Sequence, residues 1–405
     1  MVSAPGKRDS GDTKVTDLLY RCHALAAEGA DFEPILGQIE ARYADILRDL
    51  GVEFDLPSEI AVLREHLRTA PDADYMASRG EYLNGRIIAA FLGFDFIEPA
   101  ENIFFRADGS FDSDRTFRTF AARLAQSRYA VIPGFYGAMP DGAIHTFSRG
   151  GSDITGSIVA RSAGAALYEN WTDVSGMLTA DPRLVEDPKV IDWITYTELR
   201  ELSYMGASVL HEDAIFPVRE VGIPINIRNT NRPDDPGTMI VSVLGANARR
   251  RVVTGIAGRV GFTGVSIEKS MMNAQAGFGA GLIQSFAAHG VSFEHCPSGI
   301  DTMSVIVSTD AFNKARDAIL VDVQKNQAPD AMTVQDGLAM IAVVGEGMVR
   351  SKGTAARIFK ALADADINIR MIDQGSSEMN IIVGVDDTDY ENAIRAIYRG
   401  MEDLM

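Results

Sequence analysis

The strongest constraint on this 405-residue chain is a repeat that its C-terminal part makes with itself. Gly277 aligns with Gly353, Val291 with Ile367, and Met303-Ser304-Val305-Ile306-Val307 with Met379-Asn380-Ile381-Ile382-Val383, all at one offset of 76 residues. Self-similarity at a fixed offset means one supersecondary unit built twice. In the second copy the apolar period predicts a helix over 353–365, strands over 367–372 and 379–385, and a closing helix over 390–398. Apolar runs at 252–256 and 340–344 supply the first strand of each copy. The expectation is two α+β, ferredoxin-like βαββαβ units at 250–333 and 337–405, each an antiparallel sheet with helices on one face. Such units can pair edge to edge, either forming ligand sites at their boundary or only holding copies of the chain together.

Residues 1–245 have a different texture, alternating strands and helices with Gly-rich turns, as expected of an α/β domain whose mainly parallel sheet is covered on both faces. Strands are expected at 129–135, 167–171 and 223–227, a hairpin arm at 143–146 after Pro140-Asp141-Gly142, and a helix at 153–163. Residues 244–249 read as a linker. Acidic residues outnumber basic ones, 56 to 38, for a net charge of -18. That balance excludes a nucleic-acid binder, which needs a concentrated basic face. An anionic substrate must therefore be held by local cations and backbone amides. Cys22 and Cys296 form neither a disulfide framework nor a metal pair, and none of the six histidines has zinc spacing, so no structural metal is expected. No apolar run of about 18 residues and no apolar leader core is present, so a soluble, cytoplasmic protein without a membrane partner is expected.

Two segments carry the chemistry. Ser148-Arg149-Gly150-Gly151-Ser152-Asp153 is a glycine turn opening a helix. Its backbone amides, the helix N-terminus and the Arg149 guanidinium suit a carboxylate or phosphate. By itself the segment also reads as a plain N-cap. Trp171-Thr172-Asp173-Val174-Ser175-Gly176-Met177-Leu178-Thr179-Ala180-Asp181-Pro182-Arg183 follows an expected strand. It resembles the T-D-V-x-G-x-x-T-x-D-P-R signature with which aspartate kinases hold the adenine nucleotide. Val2-Ser3-Ala4, Thr16-Asp17-Leu18-Leu19, Ser78-Arg79-Gly80-Glu81, Gly134-Phe135-Tyr136-Gly137, Val209-Leu210-His211 and Arg228-Asn229-Thr230 resemble further segments of that family in the same order. Gly277-Phe278-Gly279, Phe293-Glu294-His295 and Asp373-Gln374-Gly375-Ser376-Ser377-Glu378 are similar to its paired ACT domains.

The resemblance implies a three-layer, carbamate-kinase-like amino-acid kinase domain over 1–245 followed by two ACT domains. It implies ATP- and Mg²⁺-dependent phosphorylation of the L-aspartate side chain, the first step toward lysine, threonine and methionine. Asp153 then corresponds to the active-site aspartate, and Ser3, Thr16, Glu81, Arg149 and Ser152 to aspartate-binding positions. Glu81 would meet the amino group and Arg149 a carboxylate. Thr172, Asp173 and Arg183 correspond to nucleotide-site residues, although alone they read as a strand-end turn and a surface ion pair. The ACT resemblance implies that an end-product amino acid, lysine or threonine, binds near Met272, Gly277, Phe278, Ser292 and Glu294. It also implies a homo-oligomer joined through these domains. As a solvated rim carboxylate, Glu294 would have no such role.

Several positions depart from the family. Leu178 stands where relatives carry a tyrosine, Ser208 where they carry a lysine, and His211-Glu212 replaces His-Pro. No K-F-G-G strand with its catalytic lysine precedes Val2, so roughly 40 residues are expected to be missing at the N-terminus. The competing expectations are an impaired fragment or a non-catalytic, amino-acid-binding regulatory subunit. A kinase of the same fold acting on glutamate or carbamate fits the ACT pair less well.

Overall fold

The structure, a computed structural model, describes residues 1–147, 151–207, 210, 212–245 and 251–405. Arg149, Ser208 and His211, and most of the expected linker, lie outside the described residues. Two compact units are present, Met1–Asn170 with Leu210–Asn226, and Trp171–Val209 with Ile227–Met405.

In the first unit, helices Val15–Ala27, Glu33–Leu50, Leu56–Thr69 and Ala73–Leu92 share one core. Leu36, Ile39 and Tyr43 recur at helical spacing and are fully buried, as are Ile60, Leu63 and Leu67 nearly so on the next helix. Asp55 and Asp72 cap the third and fourth helices by accepting from the Ser58 and Tyr75 amides. The Tyr43 hydroxyl donates to the Gly80 carbonyl at 2.7 Å, fixing the helix that carries Glu81. A second core of Ile103, Phe105, Phe120, Ile132, Phe147, Ile154 and Ile158 lies under the helix Gly151–Ser162.

The strand expected at 129–135 is reduced to Ala130–Val131. Pro133 has no amide to donate, and Phe135 takes φ +83°, which ends an extended run. The chain start continues the ladder instead. Val2 donates to the Ile132 carbonyl at 3.0 Å and accepts from the Gly134 amide at 2.9 Å. The expected hairpin forms from Tyr136–Ala138 and Ile144–Thr146, turned at Gly142.

A second sheet is ordered Tyr168–Thr172, Ile225–Asn229, Thr238–Val241 and Trp193–Thr195, with the last two parallel.

The repeat builds one six-stranded sheet, ordered Phe293–His295, Thr302–Ser308, Gly255–Glu268, Ala331–Val344, Asn380–Asp386 and Met371–Asp373. Its two long strands, Gly255–Glu268 and Ala331–Val344, each contribute to both copies. Ile256 packs with Ile341, Val343, Ile358 and Ile394 in the core of the second copy. Val265 and Ile267, on the same strand, pack with Phe278, Leu282 and Val323 in the core of the first. The strand pair changes register between Gln335 and Ala339, where Gly261 and Gly337, again 76 apart, take φ +91° and +72°. Positive φ bends each long strand out of one core and into the other. At the sheet's outer strands, His295 Nδ1 lies 2.6 Å from Asp373 Oδ2, so the two edges are bridged by side chains.

Candidate active site

Within the first unit, close packing around two glycines draws the expected substrate residues together. A Cβ on Gly80 would lie 2.8 Å from the Ala4 Cβ and 3.6 Å from Val15 Cγ1, so the chain start crosses the fourth helix beside the first turn of the helix bearing Thr16. The Ser3 carbonyl accepts from Asn84 Nδ2 at 2.7 Å, one turn beyond Glu81. Gly134 plays the same part on the other side. A Cβ there would meet Met1 Sδ at 2.8 Å and Ser152 Cα and Oγ at 2.9 Å. Ser3, Thr16, Glu81, Ser152 and Asp153 thus belong to one neighbourhood.

Glu81 is 5% exposed, and burial pushes its carboxyl up to about 7, against partial relief from backbone amides including that of Ala4. A buried carboxyl poised there can take an ammonium group as its counter-ion. Ser152 and Asp153 lie in the first turn of Gly151–Ser162. The helix start is locked because Thr155 Oγ1 donates to the Gly151 carbonyl at 2.8 Å and accepts from the Phe135 amide at 3.0 Å. Asn170 Nδ2 donates to Asp153 Oδ1 at 2.9 Å.

Two features here escaped sequence reasoning. Asn170 was legible only as an inward position on an expected strand. Arg79, two residues before Glu81, is 7% exposed with its guanidinium 4.6, 4.3 and 5.3 Å from the Tyr75, Tyr82 and Tyr136 ring centres. The aromatic residues at i−4 and i+3 were the signal for that cage.

The segment expected to hold the nucleotide lies in the second unit. The Thr172 carbonyl accepts from the Thr230 amide at 2.8 Å and hydroxyl at 2.9 Å. Thr238 Oγ1 accepts from the Met177 amide and donates to the Ile191 carbonyl. Gly176, at φ +116°, leaves no room for a Cβ, which would sit 2.5 Å from that hydroxyl oxygen. Thr172 Oγ1 lies 3.3 Å from Asp173 Oδ1, whereas Arg183 is exposed and ion-paired with Asp181. A cavity of about 240 Å³ beside this turn is walled by Met177, Leu178, Arg183, Ile256 and Tyr390.

At the expected effector positions, Gly277 caps the helix Phe278–Ala287 at φ +84°, and Met272 and Phe278 are buried in the core of the first copy. Ser292 is exposed. Glu294 is not a solvated rim carboxylate. Its Oε2 lies 3.0 Å from Arg259 Nη2 and accepts from the Tyr204 hydroxyl.

Residues 10–229 match the amino acid kinase family, and residues 341–401 match the ACT domain. Aspartokinase 3 of Bacillus subtilis is 36% identical over 98% of this chain and 91% of its own length. The chain belongs to the aspartokinase family. Among solved structures, the Clostridium acetobutylicum aspartate kinase, described as an allosteric enzyme, matches with a TM-score of 0.87 at 47% identity, over 98% of this chain and 91% of that one. Escherichia coli aspartokinase III, solved with aspartate and ADP, shares the fold at a TM-score of 0.68 and 23% identity, over 98% of this chain and 92% of that one. As an aspartokinase, the chain carries the kinase signature and the ACT repeat in one polypeptide, and no described helix is long and apolar enough to cross a membrane.

Proposed function

We propose that this aspartokinase transfers the γ-phosphoryl group of ATP to the side-chain carboxylate of L-aspartate, giving 4-phospho-L-aspartate and ADP. The observation that carries the reading is that residues 1–4 pack against both the start of the helix bearing Ser152 and Asp153 and the helix bearing Glu81. Glu81 takes the substrate ammonium, Ser3, Thr16 and Ser152 offer hydroxyls, and Arg149, three residues before Ser152 in sequence, takes a carboxylate. The substrate carboxylate oxygen bonds to the γ-phosphorus as the bridging P–O bond breaks, and the electron pair leaves on ADP. No enzyme nucleophile is needed, so the protein's part is positioning and charge neutralisation. Thr172, Asp173 and Arg183 hold the nucleotide.

Mg²⁺ commonly takes only one or two protein carboxylates, completing its shell with phosphate and water. Asp153, a half-buried carboxylate in the first turn of a helix, suits that donor set. When bound, the ion supplies neutralisation of phosphate charge.

The ACT repeat supports feedback control by lysine, favoured by its second ammonium group in an acidic protein, with threonine as the alternative. A cytoplasmic homo-oligomer assembled through these domains completes the reading. Aspartate-dependent ADP release from ATP and Mg²⁺ by the purified chain, titrated with each amino acid, tests it. A folded chain that binds lysine but releases no ADP would instead support a regulatory subunit.

A further inference from the structure

We infer that Asn170 is a positioning residue for Asp153, with Tyr168 as its brace; this rests on reading Asp153 as the active-site carboxylate. Strand alternation turns Tyr168 and Asn170 inward, each 8% exposed, while Glu169 and Trp171 face outward. An inward strand position ordinarily takes a β-branched or aromatic residue, and a buried amide is unfavourable unless its hydrogen bonds are met. Here the amide is spent on a carboxylate. Asn170 Nδ2 donates to Asp153 Oδ1 at 2.9 Å and to the Tyr168 hydroxyl at 3.1 Å. The Tyr168 hydroxyl in turn donates to the Asp153 backbone carbonyl at 3.3 Å.

These three contacts close a ring that grips both the side chain and the main chain of one residue. They also fix which way the amide faces, because a flipped Asn170 would turn its oxygen toward the carboxylate. Gly156 makes the seat. A Cβ there would stand 2.5 Å from the Tyr168 oxygen, so any larger residue would push the phenol off the helix. A carboxylate receiving an amide N–H is confined to one rotamer. That confinement serves a group that must act from a fixed place.

The test compares Asn170→Ala, the isosteric Asn170→Asp, Tyr168→Phe and Asp153→Asn in the full chain, measuring kcat, both KM values and melting temperature. Asn170→Ala is expected to lower kcat about 10- to 100-fold with both KM values within about threefold of the parent. Tyr168→Phe should lower kcat less. Asn170→Asp should lower kcat at least as far as Asn170→Ala, since two carboxylates then face each other across a hydrogen-bond distance. Combined with Asp153→Asn, Asn170→Ala should cost nothing further.

If Asp153→Asn is inactive while Asn170→Ala stays within about twofold of the parent, the positioning inference is overturned and the reading of Asp153 stands. If Asp153→Asn keeps its kcat, both fall. Should Asn170→Ala not fold, Asn170→Asp decides, because a parental kcat in that variant overturns the inference.

Discussion

Glu294 Oε2, on an edge strand of the six-stranded sheet, lies 3.0 Å from Arg259 Nη2 and receives the hydroxyl of Tyr204, at the end of the helix Tyr196–Tyr204. An effector ammonium can take this carboxylate only by displacing or sharing those donors. Partly exposed ion pairs contribute about 0.2–1 kcal/mol, equivalent to about a 1.4-fold to fivefold change in affinity. Arg259→Ala should therefore make inhibition set in at up to about fivefold lower effector concentration, and Glu294→Gln should weaken it. Inhibition curves for lysine and threonine measure both. An unmoved curve in Arg259→Ala would detach Glu294 from effector binding.

Glu81 predicts a pH dependence. Burial raises its carboxyl from 4.5 to about 7, so the charged form that pairs with an ammonium is lost as pH falls through 7. Below that point kcat/KM for aspartate should approach about a tenfold fall per pH unit. Stability runs the other way. Between pH 4.5 and about 7 the folded chain holds a proton that the unfolded chain has released, so Glu81 makes stability fall as pH rises through this window. Glu81→Gln should be the more stable protein above pH 7, by roughly 2–3 kcal/mol. Denaturant unfolding at pH 5 and pH 8 reads that difference.

Glu198 is 1% exposed and holds four donors. Its Oε2 accepts from the Thr195 amide and hydroxyl, both at 2.9 Å, and its Oε1 accepts from the Thr254 hydroxyl at 2.7 Å and the Glu346 amide at 2.8 Å. One side chain thus caps its own helix and ties it to two segments of the ACT repeat. Glu198→Ala strands those donors in the interior and should cost about 3–5 kcal/mol. A shift of the unfolding midpoint worth less than about 1 kcal/mol would rule this out.

Gly277 and Gly353 cap equivalent helices at φ +84° and +89°, and a Cβ on either would meet nothing within 4 Å. Replacement by alanine therefore costs only the left-handed backbone, about 1–2 kcal/mol. Gly277→Ala and Gly353→Ala should destabilise by similar amounts, and a large difference between their unfolding curves would contradict this account.

The sequence by itself determined what depends on near neighbours. The 76-residue offset places positive φ at Gly277 and Gly353, and the matched pair Val291 and Ile367 is buried in both copies. The hairpin at Gly142 and the helix opening at Gly151 were likewise legible, as were the kinase and ACT signatures, because periodicity and backbone chirality are written locally. Tertiary structure alone decided which core each residue enters. Ile256 and Ile267 look alike in sequence yet pack in different copies, because the bends at Gly261 and Gly337 carry one strand pair across both cores. It also decided that Glu294 faces Arg259, that Glu81 is buried enough to titrate near neutrality, and that Asn170 grips Asp153. Those are contacts between side chains remote in sequence, and their strength depends on the solvent excluded around them, which no local pattern encodes.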